Sequence, residues 1–321
     1  MGDALVEGVR SGDVRSVARA LTVVENDPDA AARLLAALSG GAASHPEGGA
    51  QRVGVTGPPG AGKSTLVAAL VRGWRAAGRR VGVIAVDPTS PFSGGALLGD
   101  RIRMAGLSGD PGVFIRSFAT RGELGGLSRA VHDAADVLEA AGFDPIVIET
   151  VGVGQSEVAI AAAADTVLVV LAPGSGDSIQ AMKAGLVEAA DVLVVNQADR
   201  PGAEGLASDL AAAVDLQAAG RKAPVLQTVA TTGQGVDALR TEVDLRRPID
   251  RGHAAATERR MGRARHRIQH EVDRRRQSAF WGPHTAELDW LVNEVVGGRM
   301  TVARAAGTLL GDPTLGAPDA P

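Results

Sequence analysis

Apolar and polar residues follow three different patterns along the chain. From residue 3 to 39, apolar side chains recur at helical spacing, and Asp13 and Asp27 stand near plausible helix starts. From residue 51 to 245, short continuous apolar runs alternate with segments of helical period. From residue 252 to 311 the pattern is helical again. The sequence therefore predicts a central α/β domain between two helical extensions.

The apolar runs of the central region predict a sheet. They are continuous rather than alternating, as strands covered on both faces require: RVGVTG, RVGVIAVD, DPIVIET, DTVLVVLA, DVLVVNQAD and APVLQTVA. Because these runs alternate with helical segments, the expected fold is a doubly wound, mostly parallel sheet. We expect three parts: an N-terminal helical segment and linker (1–50), the sheet domain (51–245) and C-terminal helices (246–321).

Composition and charge exclude several classes of function. The net charge of −4 and the pI near 5.9 give no electrostatic case for a nucleic-acid partner. The 321 residues include no cysteine, which excludes disulfides and thiolate metal sites. No apolar run approaches the roughly 20 residues needed to span a bilayer, and the N-terminus lacks the apolar core of a signal peptide. We expect a cytoplasmic protein that binds neither nucleic acid nor a membrane.

The segment GPPGAGKST, residues 57 to 65, follows the first apolar run and opens a helical segment. It matches G-x-x-x-x-G-K-[ST], in which glycines let backbone N–H groups surround phosphate oxygens at a helix N-terminus. Lys63 is expected to reach the β- and γ-phosphates, and the Ser64 hydroxyl to bind Mg²⁺. The predicted phosphate-binding residues are Gly57, Pro58, Pro59, Gly60, Ala61, Gly62, Lys63, Ser64 and Thr65.

Two acidic residues close strands of the predicted sheet. Asp87 ends RVGVIAVD and Glu149 lies at the end of DPIVIET, which places both at the carboxyl edge, where ligands of such folds bind. With Ser64 they form the predicted Mg²⁺ ligand set. Residues 87 to 104, which include Asp100, predict either a switch that orders around the γ-phosphate or an ordinary surface loop. Residues 149 to 157 predict a second switch.

The segment VVNQAD, residues 194 to 199, resembles a guanine-binding loop with one substitution. Asn196 and Asp199 have the expected spacing, and Gln197 stands where such loops carry lysine. The Asp199 carboxylate can accept both the N1–H and the N2–H₂ protons of guanine, whereas adenine presents a lone pair there. The sequence therefore predicts that guanine nucleotides are preferred.

Two segments further along the chain add candidate residues. VATTGQG predicts a turn at Val229, Ala230 and Thr231 that directs the Ala230 N–H toward a base oxygen. Lys183, one of only three lysines, follows a glycine-rich turn on a helical segment. It is expected to meet a partner carboxylate or a phosphate, and a solvent-exposed helical lysine is the alternative.

Together these motifs resemble the MeaB/ArgK family of G proteins, chaperones of adenosylcobalamin-dependent methylmalonyl-CoA mutase and related acyl-CoA mutases. The resemblance extends from the N-terminal helices to GRMTVARAAGTLL, residues 298 to 310. Its most specific segments are VDPTSPFSGGALLGDRIRM, GELGGLSRA, ETVGVGQSE and SGDSIQAMKAG. The resemblance implies a P-loop NTPase fold, bound GTP or GDP with Mg²⁺, and no cobalamin bound by this chain itself.

The same resemblance implies roles for individual residues. Lys63, Ser64, Asp87, Asp100 and Glu149 would surround the phosphates and Mg²⁺. Gln180 and Lys183 would lie in a third switch that senses the mutase, and Lys183 completes the predicted catalytic set. The C-terminal helices would form a homodimer arm. Hydrolysis is expected to be slow without the partner, because no residue is identified that positions the attacking water; Gln155 is a candidate.

Two positions depart from the family pattern. N-K-x-D appears as Asn196-Gln197-Ala198-Asp199, and the later Ser-Ala pair appears as Val229-Ala230. Both departures should weaken nucleotide binding more than they change the choice of base.

Three other functions stay open at the level of sequence. A phosphotransferase of the amino-acid transport-linked kinase type would need an acceptor pocket with its own base. A metal-enzyme maturation GTPase typically carries cysteines or clustered histidines. A nucleotide-dependent binding module would not hydrolyse GTP.

Overall fold

The structure, a computed structural model, describes residues 3–39, 49–87, 105–107, 109–119, 127–150, 160–174, 186–216, 222–247 and 253–311. The chain forms two compact units, Met1–Arg263 and Ala264–Pro321. The first contains a seven-stranded sheet, and the second contains the C-terminal helical residues.

The sheet is parallel throughout, with strand order β3-β2-β4-β1-β5-β6-β7. Its strands are β1 (Arg52–Thr56), β2 (Val81–Asp87), β3 (Val113–Ala119), β4 (Ile146–Thr150), β5 (Thr166–Leu171), β6 (Val192–Asn196) and β7 (Val225–Thr228). The chain winds outward from β1 in both directions, so the predicted doubly wound α/β fold is confirmed.

Strand β3 was not predicted from the apolar pattern. Among the described strands, it forms one edge of the sheet and pairs with β2. Its centre is polar, because Arg116 and Ser117 interrupt the apolar residues, and Arg116 donates to Glu25 Oε2 over 2.7 Å. An edge strand that is partly covered by polar contacts does not need the continuous apolar run of a central strand.

Helices of the first unit pack on both sides of the sheet. The helices in the described part of the chain are α1 (Asp3–Arg10), α2 (Val14–Asn26), α3 (Pro28–Ser39), α4 (Lys63–Ala76), α5 (Arg129–Ala140), α6 (Leu186–Ala189), α7 (Ala203–Asp215), α8 (Val236–Asp244), α9 (His253–Val296) and α10 (Val302–Leu310). Short 3₁₀ helices lie at Ala105–Leu107 and Ile160–Ala162.

Alternate residues of each central strand face opposite layers of helices. In β1, Val53 and Val55 belong to the core formed with α4 and α8, whereas Gly54 faces Ile160 and Ala164. The opposite core contains the buried faces of α1, α2, α3, α5 and α7. The period-two alternation of a strand therefore buries both faces, which explains the continuous apolar runs.

The predicted starts of the N-terminal helices are confirmed. Asp13 caps α2 and accepts a hydrogen bond from Ser16 N over 2.8 Å, and this bonding with Ser16 lowers the pKa of the Asp13 carboxyl. Asp27 accepts from Ala30 N over 2.9 Å at the start of α3. These helices pack into the same core as α5.

The C-terminal residues are helical, as predicted. Helix α9 contains Pro283, which cannot donate the backbone hydrogen bond of that turn. Thr301 caps α10 by accepting from Arg304 N over 3.3 Å. None of the helices in the described part of the chain is long and apolar enough to cross a membrane.

Candidate functional site

The turn between β1 and α4 has the geometry of a phosphate-binding loop. Gly57 has a φ of 135°, and a Cβ at this position would lie 2.0 Å from the backbone oxygen of Val170, so a side chain is excluded. Gly62, with a φ of 84°, leads into the 14-residue helix α4. The first N–H groups of that helix have no partner within it and favour an anion.

Lys63 lies within this loop. Its side chain is buried, with 7% of the residue exposed, and Nζ donates to Gly57 O over 2.7 Å and to Pro58 O over 3.0 Å. The ammonium group is therefore held by the carbonyls of the turn that would surround the phosphates.

Ser64 and Glu149 meet at the carboxyl edge of the sheet. Ser64 Oγ donates to Glu149 Oε1 over 2.7 Å, and both residues are buried. Asp87 ends the neighbouring strand β2, in which Ala85 pairs with Glu149. The predicted metal ligands thus come from adjacent elements at one edge.

This donor set fits Mg²⁺. Hydroxyl and carboxylate oxygens suit a hard cation, and Mg²⁺ is usually held by one or two carboxylates together with phosphates and water. Within the described residues there is no group of three or more histidines and acids that could form a metal centre built from the protein alone.

Asn196 connects the predicted guanine-binding loop to the P-loop. The side chain is buried, with 2% of the residue exposed, and Nδ2 donates to Ala61 O over 2.9 Å. Its Oδ1 accepts from Thr228 Oγ1 over 3.1 Å and from Ala230 N over 3.2 Å. One amide therefore holds together the ends of β6 and β7 and the P-loop.

Gln197 makes a second connection beside the first. Its Nε2 donates to Gly60 O over 2.9 Å, and its φ of 57° places it in the left-handed region. Asp199, two residues further on, is exposed and forms no hydrogen bond or ion pair with any other described residue. The carboxylate is therefore accessible to a base.

The turn after β7 has the predicted position. Thr232 N and Gly233 N both donate to Val229 O, and Thr231 at the tip is exposed. The Ala230 N–H is directed at Asn196 rather than at solvent. Its predicted contact with a base oxygen stays a prediction.

Comparison with known proteins identifies the family. The family model described as "Methylmalonyl Co-A mutase-associated GTPase MeaB" matches residues 17–283. The chain belongs to the MeaB family. The predicted family, the P-loop fold and GTP hydrolysis are thereby confirmed.

Relatives of this MeaB-family chain are also named as GTPases. A Pyrococcus horikoshii protein so named is 54% identical over 243 residues, which are 74% of this chain and 75% of the relative. The Mus musculus protein "Methylmalonic aciduria type A homolog, mitochondrial" is 47% identical over 148 residues, which are 46% of this chain and 36% of that protein.

A solved structure resembles the fold over nearly the whole chain. The crystal structure of "LAO/AO transport system kinase" has a TM-score of 0.71 and 21% identity, and covers 97% of this chain and 98% of its own. At this identity the likeness shows the shared fold and does not favour kinase activity over hydrolysis.

Some predicted residues of this MeaB-family GTPase lie outside the described residues. They are Asp100, Gln155, Gln180 and Lys183. Most of the three predicted switch segments also lie outside the described part of the chain. The roles of these residues stay predictions.

The structure adds site residues that the sequence patterns did not single out. Thr56 and Thr150, at the ends of β1 and β4, share a hydrogen bond of 2.9 Å between their hydroxyls. Thr228, at the end of β7, fixes Asn196. All three are threonines within apolar runs, where a hydroxyl in place of a methyl group was the available signal.

Proposed function

We propose that this MeaB-family GTPase is a chaperone of an adenosylcobalamin-dependent acyl-CoA mutase, methylmalonyl-CoA mutase or a relative. GTP binding and hydrolysis would be coupled to loading of the mutase cofactor and to protection of the mutase. The supporting observation is the match of residues 17–283 to a family described as associated with methylmalonyl-CoA mutase.

The proposed chemistry is attack of water on the γ-phosphate of GTP. The backbone N–H groups of Gly60, Ala61 and Gly62 and of the first turn of α4, including Thr65, would bind the phosphate oxygens. Lys63 would move from its loop carbonyls to the β- and γ-phosphates. Such preorganised positive groups lower the barrier mainly by stabilising the charge of the transition state.

Ser64, Asp87 and Glu149 would hold Mg²⁺. The ion, when bound, neutralises charge on the β- and γ-phosphate oxygens. Ser64 and Glu149 already contact each other at this edge, and Asp87 ends the adjacent strand. Asp100 would be a further acidic residue close to the phosphates and Mg²⁺.

Asn196 and Asp199 would select guanine, with Val229, Ala230 and Thr231 lining the base. The exposed Asp199 carboxylate supports this assignment, since a base acceptor has to be accessible before the nucleotide binds. Asn196 would act mainly by holding the loop against the P-loop.

Gln180 and Lys183 would sense the mutase, and the C-terminal helices would join two copies of the chain. Exposed apolar side chains on α9 support the proposed homodimer, because Trp281, Trp290 and Val296 are 45%, 53% and 83% exposed. Large exposed apolar residues favour a protein interface over contact with water. We place the protein in the cytoplasm and assign no nucleic-acid or membrane partner.

Retention of a mutase by the nucleotide-loaded protein tests the partner. The protein would be immobilised with GDP or a non-hydrolysable GTP analogue and incubated with extract of its native host. Identification of a retained cobalamin enzyme, in an amount that depends on the nucleotide, is the expected result. Retention of none in either state, by protein that hydrolyses GTP, would contradict the chaperone role.

The same mixture of protein and extract distinguishes GTP hydrolysis from the phosphotransferase alternative. GTP labelled on the γ-phosphate should release labelled inorganic phosphate, because water is the proposed acceptor. Label appearing on a small molecule of the extract would instead indicate a kinase.

A further inference from the structure

Two buried threonine hydroxyls join the strand before the P-loop to the strand that carries Glu149. Thr56 ends β1 immediately before Gly57, and Thr150 ends β4 immediately after Glu149. Thr150 Oγ1 donates to Thr56 Oγ1 over 2.9 Å, and both residues are 0% exposed. The strands are neighbours, with Val55 opposite Glu149. The hydroxyl pair therefore lies next to the first residue of the P-loop and next to the carboxylate that is proposed to bind Mg²⁺.

Packing alone does not explain this pair. Valine has nearly the shape of threonine, favours strands equally well and avoids the cost of removing a hydroxyl from water. Each of these strands otherwise presents valine and isoleucine to the cores. A polar pair in such surroundings is maintained at a cost in desolvation, and its two members depend on each other.

We propose that Thr56 and Thr150 are positioning residues that fix the Glu149 carboxylate relative to the P-loop for Mg²⁺-dependent nucleotide binding. Ser64 Oγ now donates to Glu149 Oε1, but both oxygens would turn a lone pair toward the cation when it binds. The threonine pair does not include a metal ligand and would persist. It would keep β4 in place while the Ser64 contact rearranges.

This inference rests on the metal placement proposed above for Ser64 and Glu149, and it is independent of the mutase. It assigns a role to Thr56 and Thr150 that neither the P-loop motif nor the guanine-binding loop includes.

Four variants separate positioning from simple stabilisation: Thr56→Val, Thr150→Val, the double valine variant and Thr150→Ser. Each single valine leaves one buried hydroxyl without its partner and should lower the urea midpoint of unfolding. The double variant removes both hydroxyls and should unfold near the wild-type midpoint. Stability is thus restored in a protein that lacks the hydrogen bond.

The functional measurement is GDP affinity as a function of Mg²⁺ concentration. In EDTA all variants should bind GDP as the wild type does. Mg²⁺ should increase the affinity for GDP, and the Mg²⁺ concentration at which half of this increase is reached should be about fivefold higher in the double variant. A fivefold change corresponds to about 1 kcal/mol, the typical contribution of one hydrogen bond. Thr150→Ser keeps the hydroxyl and should retain the wild-type Mg²⁺ dependence.

Thr166→Val is the matched control. Thr166 is also 0% exposed and lies in β5, next to β1, but it pairs with Val53 at the opposite end of the strand. In the part of the chain that the structure describes, its hydroxyl has no hydrogen-bond partner. The same substitution should therefore leave Mg²⁺ dependence unchanged.

Wild-type Mg²⁺ dependence in the double variant would overturn the proposal, and so would equal weakening of GDP binding with and without Mg²⁺. Glu149→Gln tests the underlying assumption separately. If that variant keeps the wild-type Mg²⁺ dependence, the metal placement is wrong and the threonine proposal fails with it.

Discussion

Two neighbouring side-chain amides connect the guanine-binding loop to the P-loop. Asn196 donates to Ala61 O, and Gln197 donates to Gly60 O. Gln197 therefore retains a donor to the P-loop, and what the family lysine would add is its positive charge and longer stem. A lysine stem that packs over the base and ribose, which GDP and GTP share, should strengthen the binding of both nucleotides.

We expect Gln197→Lys to tighten GDP and GTP in parallel. Gln197→Glu should weaken both by about fivefold or more, because it replaces the donor to Gly60 O with an acceptor. Calorimetric titration measures both changes, and Gln227→Glu on the exposed face of β7 controls for added charge. Unchanged affinity in Gln197→Glu would show that the contact with Gly60 contributes nothing to binding.

Asp199 should determine the choice of base. Its carboxylate can pair with both edge protons of guanine, which is worth about 1–3 kcal/mol of discrimination. Asp199→Asn should shift preference from GDP to XDP, since the new amide can donate to the C2 oxygen of xanthine. Titration of the wild type and the variant with GDP, ADP and XDP decides this. Wild-type affinity for ADP equal to that for GDP would refute the guanine assignment.

Lys63 is positioned to serve the phosphates, since its ammonium already lies among the carbonyls of the loop. Lys63→Ala should lower transition-state stabilisation by at least about 3 kcal/mol, a loss of more than about a hundredfold in kcat. Single-turnover hydrolysis of GTP measures this loss. A variant that keeps more than about a tenth of the wild-type kcat would contradict the role.

Strands and helices differ in how well the sequence predicted them. The five central strands were predictable because both of their faces are buried, which requires continuous apolar runs. The edge strand β7 was also predicted from its apolar residues, although it is only partly buried. Strand β3 was not, because Arg116 serves a contact with α2 rather than a core. The starts of α2 and α3 were predictable from local chemistry, because Asp13 and Asp27 accept hydrogen bonds from the first backbone N–H groups of these helices.

The candidate site was predictable where a motif fixes the backbone. The P-loop, Glu149 and Asn196 are at the expected strand ends, since the carboxyl edges of parallel strands adjoin. The hydroxyl pair of Thr56 and Thr150 was not predictable, because it depends on which strands become neighbours. Neither residue alone differs from an ordinary strand threonine.

Helix α9 contains a pH-dependent ion-pair cluster. Glu271 accepts hydrogen bonds from Arg274 and Arg275, and its bonding with Arg274 above all lowers the carboxyl pKa from 4.5 to about 2. A lowered carboxyl pKa stabilises the folded helix above pH 4.5, and this contribution is lost as the pH falls toward 2.

The Glu271 carboxyl resonance should therefore titrate well below 4.5 in an NMR experiment. Replacing Arg274 by Gln should move its pKa upward. Titration of Glu271 near 4.5 in the wild type would show that the cluster is not formed in solution.

At the scale of the whole molecule, we expect the rate of GTP hydrolysis to respond to a cobalamin-dependent mutase. A switch residue affects this coupling without affecting the basal reaction, since the coupling is the difference between the rates with and without the partner. Lys183 is the residue that we assign to this role.

The most direct test is the single-turnover rate of GTP hydrolysis with and without a purified adenosylcobalamin-dependent acyl-CoA mutase from the native host, for the wild type and Lys183→Ala. We predict slow hydrolysis alone, marked stimulation of the wild type by the mutase, and loss of most of that stimulation in the variant at a nearly unchanged basal rate. Equal proportional losses in both conditions would make Lys183 an ordinary active-site residue. A wild-type rate that no such mutase changes would contradict the chaperone account.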